Sequence, residues 1–585
     1  MNDIKTLYRD ELKLLRESAK TFSNEYPALT ASLVRESQDP DVEQILKGVA
    51  YLTAQIRREE RDEFPTALQS LSQILAPLQM QPQPSGTIMC LTPVSGLPSL
   101  VRVERGQYFD SVELMRDSRD QAVACRFSNE WPVELVPLEI LSTSTASVES
   151  TEMPRQRLFG LKIEFSSARA DLSTYNFDKL RLYFDVQEGE SAFWQRLMFE
   201  SLRQCRVTTA QGQEVTLESL VGSPLLDMSE NGLQDPQTVL PSRLLGDYIS
   251  FPEKLNFFDI DFSRWRERSG NGFTLELRFE MPKFAPPALQ TGAIRLFCAP
   301  ARNQFSQIAS PLALTGLDAE FDIEVSDTSL SGNTQLEVIN ITGVESIARG
   351  RPKNKKYQNM MMPDSLSPSR SAYYFYRQRG ASDGEVISKI GLYGIEPLKS
   401  EQEVLRVSTT CCNGSLADII GPGDVSVKAS QSSDLYKFTN LTNATRFEPA
   451  NLVTDEAWQA ISDQSMSATD LSDGNSIRSY LLHHLSSSMS DAPRHKVARH
   501  RFSSIESLEV KPIETILHGR AYFGQEFRLT VDSAHFSSAN EYFVFGCILN
   551  SLFTLKRPLN SVCRTILIDS HSGEETVWLP TKKIL

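Results

Sequence analysis

The hydrophobic pattern of this chain changes period at Gln81-Pro82-Gln83-Pro84-Ser85-Gly86, and the change separates two kinds of structure. Two prolines and a glycine cannot continue a helix, so helical order must end there. Upstream, Ile4, Tyr8, Leu12, Leu15, Ala19 and Phe22 recur at spacings of three and four. They predict a first amphipathic helix from about Asp3 to Phe22, with Lys5, Arg9, Lys13 and Glu17 on its other faces. Asp39-Pro40 opens a second helix as N-cap and first helical position. Val42, Ile45, Leu46, Val49, Leu52 and Ile56 line its apolar face. After a mixed-charge cluster, Arg57 to Glu63, Phe64-Pro65 starts a third helix carrying Leu68, Leu71, Ile74 and Leu75. Such stripes serve either the chain's own body or the helices of a partner, and periodicity alone favours the chain's own body.

Downstream of Gly86 the period is two. Leu161, Ile163 and Phe165 alternate with Lys162 and Glu164; Leu180, Leu182, Phe184 and Val186 with Arg181, Tyr183 and Asp185. Phe273, Leu275, Leu277, Phe279 and Met281 alternate with Thr274, Glu276, Arg278 and Glu280. Strict alternation places one face in a core and one in water, as in an antiparallel sheet. The expected fold class is therefore α+β. A helical arm at 1–85 precedes mostly antiparallel, sandwich- or barrel-like β domains at 86–305 and 306–430. A small α/β region at 431–585 closes the chain. A short helix is expected near Ser191 to Leu202, and another through Ile477, Tyr480, Leu481 and Leu485. The stretch 349–371, rich in Lys, Asn, Pro, Ser and Met, reads as a flexible, solvated loop within the second β domain.

A length of 585 residues exceeds what one core usually supports. The net charge of −14 argues against a general nucleic-acid binder, which needs a basic surface. No apolar run approaches the roughly 20 residues that span a bilayer. The charged N-terminus has no hydrophobic signal core, so a cytoplasmic chain is expected. The eight cysteines follow no framework spacing and fit a reducing compartment.

Candidate chemistry is thin. All seven histidines, His483, His484, His495, His500, His518, His535 and His571, lie in the last fifth of the chain. None has the paired helical spacing with an intervening Glu that builds a metalloprotease site, and packing or surface roles are expected. Cys411-Cys412 lacks further ligands at metal-binding spacing and reads as strand-end packing. Phosphate loops, dinucleotide fingerprints and nucleophile elbows are absent from the sequence. No catalytic, cofactor-binding or metal residue is expected. A carboxylate dyad leaves no sequence motif, however, so a β-sandwich hydrolase acting on polysaccharide stays open as the alternative.

An ordered set of motifs adds a resemblance. Tyr8, Glu11-Leu12, Leu15-Arg16, Phe22, Tyr26-Pro27, Asp39-Pro40-Asp41-Val42-Glu43, Asp62-Glu63-Phe64-Pro65, Pro77 and Pro84-Ser85 form the first. Phe251-Pro252-Glu253-Lys254-Leu255 with Phe257-Phe258-Asp259, then Cys298-Ala299-Pro300 with Asn303-Gln304-Phe305, follow. Gln304 stands where an apolar residue is expected. Cys412-Asn413-Gly414-Ser415-Leu416, in shortened form, and Phe543 to Asn560 complete the series. Together, over nearly the whole chain, they resemble the TssF family of baseplate subunits from the bacterial type VI secretion system.

The resemblance implies a structural wedge protein. Its partners would be a TssG-like subunit, a second copy of itself, TssK- and TssE-like subunits, the VgrG spike, and the sheath. It would be docked at the inner face of the inner membrane through other subunits, without inserting. Under this reading Tyr8, Leu12, Leu15, Phe22, Val42, Leu46, Val49 and Ile56 face a partner-helix bundle. Phe545, Leu549 and Leu552, on an apolar C-terminal helix, are expected either to contact the second copy, because a small region gains from covering apolar surface, or to pack wholly within their own sheet.

Overall fold

A computed structural model describes most of residues 81–579; within 1–80 it describes 8–9, 11–18, 44, 47–54, 68, 71–72 and 75–80. Internal segments outside the described residues include 150–156, 225–239, 349–354, 361–371, 381–385 and 394–402. The described part of the arm is helical apart from Ala76. It gives way at residue 81 to strand Gly86–Pro93.

That strand lies inside a six-stranded antiparallel sheet. Its order is Val425–Lys428, Tyr108–Ser111, Arg126–Asn129, Cys298–Arg302, Gly86–Pro93, Tyr436–Asn440. The expected boundary near 430 is therefore corrected. Two strands from 425–440 return to the first β body, where Phe438 stacks edge-on against Phe109 at 4.7 Å. The two strands sit at opposite ends of the sheet order, and alternation alone cannot say which sheet receives them.

The three alternating segments form Arg157–Ser166, Lys179–Phe184 and Gly272–Glu280. The first and third pair in register, with Phe165 stacked on Phe273 at 4.7 Å. Their inward residues join a single core that also takes Trp194, Phe258 and Trp265. Lys179–Phe184 is apolar on both faces in use, since Tyr183 is buried against Phe257 on the opposite side. The helix expected near 191–202 is Glu188–Arg196, extended by one wide turn, Leu197–Ser201.

The second β body is one large sheet built on Glu337–Ala348 and Glu403–Cys412. Within the stretch read as a solvated loop, Lys355–Asn359 is instead a strand of this sheet, with Tyr357 buried in its core. The basic residues hid the strand because their charged ends stay in water while the backbone pairs. The flanking 349–354 and 361–371 lie outside the described residues.

The C-terminal region has the order Ile505–Leu517, Arg520–Val531, Val562–Asp569, Glu575–Trp578. Arg520–Val531 and Val562–Asp569 are parallel, which demands a crossover, and helix Ala539–Lys556 supplies it. Ser538 caps the helix by accepting from the Glu541 N–H. Helix Gly474–His483 is present as expected, closed at its start by a capping box between Asp473 and Ser476.

Candidate functional site

Two regions are candidates: the helical arm, and the joint where it meets the body. In the arm, residues 47–54 are helical, and Ala50 and Ala54, one turn apart, are fully buried. The large side chains beside them point away: Val49 is 44% exposed, Tyr51 51% and Leu52 59%. Small residues at i and i+4 allow close approach on one side, while Val49 and Leu52, the described residues of the expected stripe, are exposed on another. Leu14 is exposed, and Tyr8, Leu12 and Leu15 are half-buried. Phe22, Val42, Leu46 and Ile56 lie outside the described residues. Covering one Leu-sized side chain is worth about 1.5–3 kcal/mol.

The C-terminal helix differs. Phe545, Leu549 and Leu552 are 0% exposed, all inside this chain's own core. Phe553 lies parallel to Phe527 of the sheet at 4.2 Å. The other side of the helix is covered by Leu240–Ser250 and Glu188–Arg196 from the first β body, with Tyr248 against Phe545. Of the two expectations for these residues, packing within the chain describes this structure: long-range packing covers the helix from both sides. Exposed apolar side chains of this region include Ile516 and Phe523 on the hairpin, Leu579 with Val577 beside it in sequence, and Trp458 and Val497.

The arm is bolted to the body through a buried charged cluster. Asp247 accepts from Lys254 at 2.9 Å and from Arg302 at 2.5 Å. Glu130 takes Arg302 at 3.0 Å, Arg243 at 3.2 Å and Lys254. Burial alone would raise the Glu130 carboxyl, but the three cations outweigh it and hold it far below the ordinary range. Burial draws Lys254 down against the pull of Asp247 and Glu130. Arg302 also donates to the Pro84 carbonyl at 3.1 Å, which ties the end of the arm to the cluster. Gln83 and Glu448 exchange backbone hydrogen bonds of 2.8 and 3.0 Å.

Motif residues converge on this joint. Phe251 is fully buried, and a Cβ on Gly86 would come within 2.7 Å of its ring, so only glycine fits at the start of the strand. Glu253 binds Arg494 at 2.5 Å and anchors helix Pro493–Phe502. Asn303 and Asn413 face each other: the Asn303 amide donates to Asn413 Oδ1 at 2.7 Å, and the Asn413 N–H donates to Asn303 Oδ1 at 2.7 Å. These motifs therefore lock domains together.

A cavity of about 430 Å³ opens at the same place, lined by Gln79, Arg243, Arg302, Glu448, His484 and His495 among others. Burial pushes Glu448 up to about 7 against the charge of Arg302. It also pushes His484 down to about 4. His484 Nε2 lies 2.9 Å from Gln79 Nε2 and 3.1 Å from Ser242 Oγ. His495 stands 3.7 Å from Glu448, and burial lowers it. His483 is raised by its hydrogen bond to Asp463. Among the described residues no group of three or more His, Cys, Asp or Glu could hold a metal, and no helix is long and apolar enough to cross a membrane. Sequence reasoning missed this cluster because its members lie at 130, 243–254 and 302, and only the Phe251–Leu255 motif marked it.

Comparison with known proteins gives consistent matches. The chain is 24% identical to the type VI secretion system component TssF1 of Pseudomonas aeruginosa, over 98% of this chain and 97% of that protein. Its fold is similar to a chain in the cryo-electron microscopy structure of the type VI secretion TssK-TssF-TssG baseplate subcomplex. The TM-score is 0.75 at 20% identity, covering 93% of this chain and 99% of the other. A chain in the type VI secretion baseplate complex gives a TM-score of 0.56 at 18% identity, covering 99% of both. The family described as "Type VI secretion system, TssF" matches residues 1–583. The chain thus belongs to the TssF family.

Proposed function

We propose that this protein is a structural wedge subunit of a type VI secretion baseplate. It assembles with TssG-, TssK- and TssE-like proteins around a VgrG spike and helps nucleate the tube and contractile sheath. The observation that carries this reading is the family match across residues 1–583. The exposed apolar side chains Val49, Tyr51 and Leu52 support it, since a helix apolar on its outer side fits a bundle with partner helices. Tyr8, Leu12, Leu15, Phe22, Val42, Leu46 and Ile56 belong to the same bundle. Contact with a second copy falls to the exposed Ile516, Phe523 and Leu579.

The protein has no catalytic role in this reading. In the cavity at the joint, Glu130 and Asp247 are both committed to buried cations, which takes them out of any carboxylate pair with Glu448. The chain works in the cytoplasm, held at the inner membrane by other subunits. Co-expression with TssG- and TssK-like partners, followed by affinity purification of this chain, should yield a stable complex. Recovery of this chain alone, folded, would overturn the reading.

A further inference from the structure

Cys90 and Cys298 stand directly opposite each other on the two central antiparallel strands. At one end of this pairing the Asn303 N–H donates to the Ser85 carbonyl, and at the other the Leu91 N–H donates to the Phe297 carbonyl. Alternation between those marks puts 90 and 298 in a non-hydrogen-bonded pair, where opposing Cα atoms approach to about 4.5 Å. A disulfide bridges Cα separations of roughly 4.4–6.8 Å, so closure needs no strand movement. Both sulfurs also converge on one oxygen: the Leu296 carbonyl accepts from Cys298 Sγ at 3.4 Å and from Cys90 Sγ at 3.7 Å.

The two thiols differ in access. Cys298 is buried, in the small core with Tyr183 and Phe257. Cys90 is half-buried, close to the Arg295–Asp185 pair, whose members are partly exposed and 2.9 Å apart. A Cys298 thiol turned from the Leu296 carbonyl to Cys90, together with the charge of Arg295, favours a thiolate at Cys90, the form that reacts, against burial and Asp185.

We propose that Cys90 and Cys298 are a redox modification site that closes to a cross-strand disulfide on exposure to hydrogen peroxide. The Cys90 thiolate attacks one peroxide oxygen, the O–O bond breaks, and Cys90 becomes a sulfenic acid as hydroxide leaves. The Cys298 sulfur then attacks Cys90 Sγ, its proton goes to the departing hydroxyl, and water leaves. Two thiols are oxidised and one peroxide is reduced to two waters. The bond fastens the first strand after the arm to the strand that carries Arg302.

The test treats the intact chain with stoichiometric hydrogen peroxide, blocks remaining thiols, and maps linked peptides by mass spectrometry. The Cys90–Cys298 pair should be the first of the eight cysteines lost from thiol titration, and dithiothreitol should restore both. In Cys298→Ser, Cys90 should halt as a sulfenic acid captured by dimedone. In Cys90→Ser, Cys298 should stay reduced at the same dose. Prior oxidation of another pair such as Cys411–Cys412, or oxidation of Cys298 in Cys90→Ser, would overturn the proposal.

Discussion

The N-terminal helix at 47–54 and the C-terminal helix Ala539–Lys556 are both rich in large apolar residues, yet they end in opposite environments. The first buries its alanines and leaves Val49, Tyr51 and Leu52 outside; the second leaves none of Phe545, Leu549 or Leu552 exposed. The difference is topological. The C-terminal helix is a crossover between parallel strands, so the sheet covers one side by construction and helices from the first β body cover the other. The arm has no such obligation. Hydrophobicity alone therefore does not mark a partner surface; what the chain's own topology leaves uncovered does.

The comparison requires that the arm be fixed to a rigid body, and the strongest challenge is to the bolt. Asp247→Ala leaves Lys254 and Arg302 short of a buried counter-charge and should cost about 3–5 kcal/mol, seen as an earlier urea midpoint. An unchanged midpoint would mean that the cluster is not the anchor. The helices are then compared directly. Leu549→Ala should cost about 2–5 kcal/mol through a core cavity. Leu52→Ala should move thermal stability little, because a half-exposed side chain has few neighbours to lose. Equal losses would erase the distinction drawn between the two helices.

A third test uses pH at the joint. His484 is held to about 4 in the fold, so the unfolded chain binds its proton first and stability falls as pH drops from 6.5 towards 4. Glu448 is held at about 7, so its contribution is complete below 4.5 and is lost as pH rises through 7. Each is worth ~3 kcal/mol, with opposite slopes, and between about 4.5 and 6.5 they cancel. Glu448→Gln should expose the acid-side loss and His484→Asn the loss on raising pH, both read from urea midpoints across that window. Asn303→Ala should cost about 1–3 kcal/mol, because the Asn413 N–H loses its acceptor in a buried site.

Much of this architecture was legible in the sequence. Alternation at 157–166, 179–184 and 272–280 located three sheet strands, because one buried face imposes a period of two. The stop at Pro82 and Pro84 marked the end of the arm. Pairing at long range was not legible. Nothing local says that 425–440 returns to the sheet of Gly86–Pro93, or that Asn303 meets Asn413. The same limit leaves two readings of Phe545, Leu549 and Leu552 open in the sequence: a helix covered on two sides and a helix awaiting a partner are equally apolar. Lys355–Asn359 was obscured by its charges, which do not prevent a backbone from pairing.

The central claim is that the uncovered face of the arm is a partner surface. The direct measurement is native mass spectrometry of the chain co-expressed with its TssG-like partner, comparing wild type with Val49→Asp/Leu52→Asp. Charges placed on an already exposed face should leave the melting temperature and the core of the isolated chain unchanged, yet the complex should be lost, because each carboxylate would be buried unpaired in the bundle. A double variant that folds normally and still holds its partner at the wild-type level would contradict the account.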